Sequence, residues 1–182
     1  MDILVTRRLT LRPPLDVDAD AIATALQNKD VTRMLTNVPN PYGLDDAVNW
    51  IKRVDEDKHS AYFSIYRQKF LGVVSVQTSE DGEADLGYWL DRSAWGQGFM
   101  SEAARATVSH AFRKFGFETI SSGAYEDNRA SMAILRKLGF EADGARPHFN
   151  PTRNCQVSCN RVVLTRSRFE QLFGSLETSV AA

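Results

Sequence analysis

Cysteine is almost missing from this chain of 182 residues, with Cys155 and Cys159 as its only two. A disulfide framework is excluded, and the pair does not show the Cys-x-x-Cys spacing of redox or zinc sites. Four residues apart, both thiols fall on one face of a strand with His148 nearby in sequence. Zinc would still lack a fourth ligand, so two ordinary thiols and no metal are expected. Long apolar runs are also lacking. None approaches the ~20 residues that cross a bilayer, and Met1-Asp2-Ile3-Leu4-Val5 has no basic leader ahead of an apolar stretch. A cytoplasmic protein without membrane contact is expected. Nor does charge of one sign dominate: 22 basic residues stand against 23 acidic ones, a formal net charge of −1. No polybasic surface points to a nucleic acid. The Walker pattern Gly-x-x-x-x-Gly-Lys-Ser/Thr occurs nowhere, which argues against nucleotide hydrolysis. There is no internal repeat and no low-complexity linker.

What is present fits one well-packed domain over residues 1–174, with a frayed tail over 175–182. Arg8-Leu9-Thr10-Leu11-Arg12 alternates polar and apolar side chains until Pro13-Pro14 stops it, the pattern of a half-buried strand. Asp16 to Asn28 carries Val17, Ala21, Ile22, Ala25 and Leu26 at helical spacing behind an acidic first turn. A second helix is predicted from Leu44 to about Lys58. Ala61–Arg67, Phe70–Thr78 and Ala84–Asp91 read as an antiparallel meander. Met100, Ala103, Ala104, Thr107, Val108, Ala111, Phe112 and Phe115 then form a helical stripe ending at Gly116. Thr119–Tyr125 reads as a strand and Asn128–Leu138 as a helix closed by Gly139. The last strands lie from Phe140 onward and over Val157–Thr165. Strand, helix, strand, helix in this half implies parallel pairing behind the antiparallel meander. The fold class is therefore α/β, a mixed sheet flanked by helices.

Trp95-Gly96-Gln97-Gly98-Phe99-Met100-Ser101 links a strand to the start of the long helix. Backbone N–H groups there have no helical partner and the helix dipole adds positive potential, which suits an anion. Two glycines permit positive φ and close approach, so backbone alone can wrap a pyrophosphate. A Rossmann turn would want a third glycine where Ser101 stands, and a parallel sheet where the meander stands. From spacing alone, a turn whose glycines serve only geometry stays open.

Leu86-Gly87-Tyr88-Trp89-Leu90-Asp91 followed by Trp95-Gly96-Gln97-Gly98-Phe99-Met100-Ser101-Glu102-Ala103 resembles the acetyl-CoA-binding motif of the GNAT superfamily of N-acetyltransferases, in its ribosomal-protein N-acetyltransferase-like (RimJ/RimL-type) branch. Arg7-Arg8-Leu9-Thr10-Leu11-Arg12-Pro13 resembles the branch's opening strand. Asn128-Arg129-Ala130-Ser131 through Lys137-Leu138-Gly139-Phe140 resembles its second cofactor motif. The resemblance implies a sheet of about seven strands, mostly antiparallel with one splayed parallel pair, and helices on both faces. It further implies acetyl-CoA as acetyl donor, pantetheine held by backbone near Trp89 and Leu90, and pyrophosphate held by N–H groups of Gly96, Gln97, Gly98, Phe99, Met100 and Ser101. Asn128 would touch the cofactor while capping its helix. The leading Gln or Arg of the superfamily turn is replaced by Ser93.

Acetyl transfer to an amine needs a neutral nucleophile, stabilisation of a developing oxyanion and a proton for the departing thiolate. The Tyr that many members place seven residues after the motif Asn is Leu135 here. The resemblance offers Ser131 as proton donor and Tyr125 as second candidate. Asp85, matching a branch Glu on the fourth strand, is the candidate base through water. The acceptor is expected between Met34–Tyr42 and Arg146–Asn154, with Tyr42 and Phe149 lining the entrance. Arg33, Arg146 and Arg153 would favour an acceptor bearing a carboxylate. The function implied is an N-acetyltransferase acting on a primary amine, a protein N-terminus or a small molecule, by direct transfer in a ternary complex. The rival from another class is a catalytically weak acyl-CoA-binding or sensor module. Monomer and homodimer are equally compatible with the sequence.

Overall fold

The computed structural model describes residues 2–36 and 38–176. Eight strands form one sheet: β1 (Leu4–Val5), β2 (Thr10–Arg12), β3 (Ala61–Tyr66), β4 (Phe70–Thr78), β5 (Ala84–Leu90), β6 (Thr119–Tyr125), β7 (Glu141–Asn150) and β8 (Cys155–Thr165). Their order across the sheet is β1-β2-β3-β4-β5-β6-β8-β7. Every neighbouring pair is antiparallel except β5 and β6. The strand beyond the seven expected is β1, whose two residues are too few to show an alternation. Helices α1 (Ala19–Leu26), α2 (Lys29–Thr32) and α3 (Leu44–Glu56) precede the meander. The others are α4 (Phe99–Phe115), α5 (Arg129–Leu138) and α6 (Arg166–Phe173).

Strand β5 shows how the layers divide. Ala84, Leu86 and Leu90 enter a core with Ala103, Ala104, Val108 and Phe112 of α4, Leu135 and Leu138 of α5, and Phe169 of α6. The alternate residue Trp89 joins a second core with Ile22 and Leu26 of α1 and Ala47 and Ile51 of α3. Period-2 alternation thus sends one strand into two cores on opposite faces of the sheet. Three alanines on α4, all with no exposure, let it sit close to the strands. It starts at Gly98 (φ 74°) and stops at Gly116 (φ 73°), both in the left-handed region.

The expected helix from Asp16 begins as a 3-10 turn over Asp16–Asp18 and becomes α-helical at Ala19. Asp18 explains the break, because its fully buried carboxylate ties the turn to the sheet. Arg12 donates to it at 2.6 and 2.9 Å, Ser64 at 2.8 Å, Tyr66 at 2.5 Å and the Leu15 N–H at 3.0 Å. Burial alone would raise its pKa, but these donors together hold it below the ordinary carboxylate value. Helix α6 had no apolar stripe to announce it. Thr165 caps it by accepting from the Arg168 N–H at 3.1 Å, and Phe169 packs on Phe112 with ring centroids 5.6 Å apart. Leu176 is buried in the same core; residues 177–182 of the expected tail lie outside the described residues.

Candidate active site

The anion turn is built by three bracing groups. Asp91 accepts from the Ser93 N–H at 2.9 Å and from its hydroxyl, so Ser93 is turned back onto the strand end. The Trp95 indole donates to the Leu90 carbonyl at 2.9 Å. Arg8, reaching from ahead of β2, donates to the Gln97 carbonyl at 2.9 Å while pairing with Glu102 at 2.7 Å. Glu102 also accepts from the Arg8 N–H at 2.8 Å and the Thr6 hydroxyl at 2.6 Å. Gly96 and Gly98 both have φ of 74°. The first helical bond is Glu102 N–H to Gly98 C=O at 3.3 Å, so the N–H groups of residues 98–101 have no acceptor in the described chain. Four adjacent donors at a helix start, with a positive dipole end behind them, suit an anion, and the Arg8 guanidinium lies beside them, 3.5 Å from where a Gly98 side chain would begin. The Gln97 side chain bends away to the Ser93 carbonyl at 3.1 Å.

Beside this turn the sheet opens. β5 and β6 pair only at Asp85↔Ser121 and Leu86↔Ser122. The Ser122 hydroxyl closes the paired part by donating to the Leu86 carbonyl at 2.8 Å. The Asp91 N–H bonds to the Leu71 carbonyl on β4 at 2.8 Å, which sets the phase of the ladder. Asp85, Gly87 and Trp89 therefore turn their backbone groups toward β4, and Leu86, Tyr88 and Leu90 turn theirs toward the gap. With the Leu90 carbonyl taken by Trp95, the Tyr88 N–H and C=O and the Leu90 N–H face the opening. The Trp89 backbone groups belong to the β4 side of the ladder, and the Trp89 ring packs on Phe70 at 5.9 Å.

Across the gap stands the start of α5. The Asn128 carboxamide oxygen accepts from the Ser131 N–H at 3.1 Å. The Ser131 hydroxyl lies 2.8 Å from the Tyr88 hydroxyl. Burial pushes the Tyr88 phenol up to about 12, against a smaller opposing pull from Ser131. Sequence reasoning missed Tyr88, since no local pattern links residues 88 and 131. Leu135 is wholly buried in the core.

The other two expected catalytic groups lie on the opposite face. Asp85 pairs with Arg161 at 3.1 Å; desolvation raises its carboxyl pKa and the guanidinium pulls it back only in part. Tyr125 is 1% exposed, stacked on His148 with centroids 6.5 Å apart, under the Arg153 guanidinium at 5.1 Å. Its burial among Val157 and Cys159 separates it from the Tyr88–Ser131 pair.

A cleft of about 620 Å³ lies between α1, α3 and the sheet. Tyr42, Trp50, Tyr62, Gln77, Gly87 and Trp89 are among its lining residues, and Tyr88 reaches it from the splayed strand. Tyr42 lines this cleft, but no described residue of 146–154, the other expected wall of the entrance, does. Phe149 does not line the cleft. In the register of β7 on β8, His148 turns inward to Tyr125, and alternation leaves Phe149 outward and 48% exposed. Arg33 and Arg153 both pair with Asp127, at 3.5 and 3.0 Å, and Arg153 also donates to the Arg33 carbonyl at 2.8 Å. Those two arginines brace the β7–β8 hairpin against the loop after α2. Arg146 is exposed on the edge strand β7. Among the described residues no cluster of metal ligands occurs, Cys155 is exposed and Cys159 buried.

A sheet splayed at one parallel pair, with a bare anion turn at its mouth, is the architecture of an acetyltransferase. The family model described as "Acetyltransferase (GNAT) domain" matches residues 8–141, and the chain belongs to that family. It is an acetyl-CoA-dependent N-acetyltransferase of the GNAT type. It is 30% identical over 150 residues to the uncharacterized N-acetyltransferase YoaA of Bacillus subtilis (strain 168), covering 78% of this chain and 84% of that protein. It is 29% identical over 89 residues to the ribosomal-protein-serine acetyltransferase of Escherichia coli (strain K12), covering 47% and 50% respectively. Among solved structures, RimL, a ribosomal L7/L12 alpha-N-protein acetyltransferase in complex with coenzyme A, superposes with a TM-score of 0.79. The identity there is 24%, covering 90% of this chain and 98% of RimL. Mycobacterium smegmatis RimJ, in complex with a CoA disulfide, gives a TM-score of 0.77 at 19% identity, covering 92% of this chain and 85% of RimJ. The free donors at residues 98–101 and the unpaired edge of β5 suit the pyrophosphate and pantetheine of acetyl-CoA. No helix among the described residues is long and apolar enough to cross a membrane.

Proposed function

We propose that the chain transfers acetyl directly to a primary amine, donor and acceptor meeting at the break between β5 and β6. One observation carries this reading: Tyr88 lines the cleft on the α1–α3 face and turns its backbone to the gap beside the anion turn, so two separate entrances converge on one residue of the splayed strand. That arrangement suits a ternary complex and leaves no need for an acyl-enzyme nucleophile.

Bound acetyl-CoA supplies the thioester carbonyl and a thiolate leaving group. The N–H groups of Gly98, Phe99, Met100 and Ser101, with the turn of Gly96 and Gln97 behind them, hold the pyrophosphate. The Tyr88 backbone and the Leu90 N–H hold the pantetheine amides in place of a third strand. Asn128 offers its carboxamide nitrogen, since its oxygen is used by the cap. Ser131 and Tyr88 act as a hydroxyl pair that holds a proton at the leaving sulfur. A phenol held near 12 stays protonated at neutral pH, so the proton that Ser131 gives to the departing sulfur is replaced from solvent water relayed through the Tyr88 hydroxyl along their 2.8 Å bond. Asp85 receives the amine proton through water. Its raised pKa makes it a stronger base than an exposed carboxylate, and its half-exposed position keeps water within reach. Tyr42 lines the acceptor's path, while Tyr125 anchors the hairpin that closes the far end.

The test is thiol release from acetyl-CoA against a panel of primary amines, with mass detection of the product. Acetyl-CoA-dependent acetylation of an amine with equal thiol release is expected. Tight acetyl-CoA binding with no turnover on any amine would overturn the reading.

A further inference from the structure

The charged side chains of the cleft are unequally occupied, and the difference speaks to the acceptor. Helix α3 presents Asp46, Asn49, Trp50, Arg53 and Val54 to the cleft, a three-to-four-residue repeat that places them on one helical face, and Asp57 follows at its C-cap. Asp46 accepts from the Gly43 N–H at 2.9 Å. Asp57 accepts from the His59 N–H at 2.9 Å and the Tyr62 hydroxyl at 3.0 Å. Both carboxylates are thus engaged in holding the ends of α3. The Arg53 guanidinium has neither an ion pair nor a hydrogen bond among the described residues. Its charge acts on the phenols of Tyr42 and Tyr62, which line the same cleft. The arginines Arg33 and Arg153, by contrast, are both spent on Asp127.

We propose that the acceptor amine carries a carboxylate, and that Arg53, backed by Asn49, is its anchor. The inference rests on the amine-transfer reading above. A guanidinium matches a carboxylate with two parallel N–H donors, and Asn49, one turn earlier on α3, brings a further donor to the same wall. Two aspartates beside one arginine disfavour a dianion, so a carboxylate is selected over a phosphate monoester. The body of the acceptor lies against Trp50 and Tyr62, which meet edge to face with centroids 6.3 Å apart, and against Trp89 toward the splay. The acceptor is therefore an amino acid or short peptide with its C-terminal carboxylate free and an apolar or aromatic side chain.

The test uses matched pairs that differ only in the carboxylate: phenylalanine and phenethylamine, leucine and isopentylamine, phenylalanyl-leucine and its C-terminal amide. Each is measured as acceptor and, as its N-acetyl derivative, for binding by calorimetry in the presence of coenzyme A. In the unaltered protein the acid of at least one pair is expected to bind about tenfold or more tighter than its partner. Arg53→Gln removes that preference, Arg53→Lys keeps part of it, and acetyl-CoA affinity is unchanged in both because Arg53 is exposed and remote from the glycine turn. Equal binding within every pair, failure of every acid to bind, or a preference undiminished in Arg53→Gln would overturn the anchor. Turnover of the neutral amines without preference would overturn it while the transfer reading stands. Acids that bind through Arg53 while no amine, acidic or neutral, is acetylated would overturn the transfer reading and leave the carboxylate anchor standing.

Discussion

The two entrances to the site are made of different material. At the anion turn the free polar groups are backbone: four N–H donors at residues 98–101 and the unpaired edge of β5, with the Arg8 side chain bracing the turn at the Gln97 carbonyl. In the cleft the lining is side chain, with aromatics, amides and one unpaired guanidinium. Backbone recognition suits a ligand whose chemistry is invariant, since it tolerates sequence change as long as φ is kept. Side-chain recognition suits a ligand that varies between proteins of one fold. The contrast explains how a chain only 18–24% identical to solved acetyltransferases keeps their fold over nine-tenths of its length while its acceptor must be read from its own residues.

Breaking the backbone half should have the largest effect. Gly98→Pro removes one of the four donors and cannot reach φ of 74°, a cost of about 3 kcal/mol or more. Acetyl-CoA affinity measured by calorimetry should fall more than about a hundredfold, with folding checked by circular dichroism. Undiminished binding by a folded variant would remove the turn from the site. Next is Asp18, through which the first helical turns of the acceptor wall hang on the sheet. Asp18→Asn leaves Arg12 without its charge and should lower stability by about 3 kcal/mol, read by urea unfolding, with little change in acetyl-CoA affinity of the folded protein. Because the folded pKa of Asp18 is lowered, its stabilisation is complete above the unfolded carboxylate value of about 3.9 and fades as pH falls through the folded value. The variant should lose that part of the acid dependence.

The junction between the halves comes third. Tyr88→Phe and Ser131→Ala should each lower kcat about tenfold to a hundredfold with acetyl-CoA affinity nearly kept. The double variant should be little worse than either, because the two hydroxyls act as one unit. Parallel losses in kcat and affinity would make the pair a structural bond instead. The smallest effect is expected at Gln97→Ala: its side chain points to Ser93 and only its backbone belongs to the turn, so acetyl-CoA affinity should change less than about twofold. A tenfold loss there would show that side chains do share in the backbone half.

Legibility followed the range of the interactions. The meander, α4 with its glycine ends, and α5 behind Asn128 were readable because each rests on a period or a cap within a few residues. Leu4–Val5 and α6 were not, since one is too short to alternate and the other is held by Phe169 against a distant helix. Tyr88 and Ser131 are 43 residues apart and meet only because β5 and β6 part after Leu86. At Phe149 and Trp89 the deciding factor is strand phase, which turns the Phe149 side chain outward and the Trp89 backbone toward β4, and no local pattern sets that phase.

By itself the sequence determined the donor side of this protein. A strand, two glycines and a helix start generate free N–H groups locally, whatever surrounds them, and the neighbouring motifs suffice to name acetyl-CoA. Tertiary structure alone decided the acceptor side. Which arginine is left unpaired depends on where every carboxylate ends up: Asp127, in the turn between β6 and α5, takes up both Arg33 and Arg153, while the Arg53 guanidinium has no ion pair among the described residues.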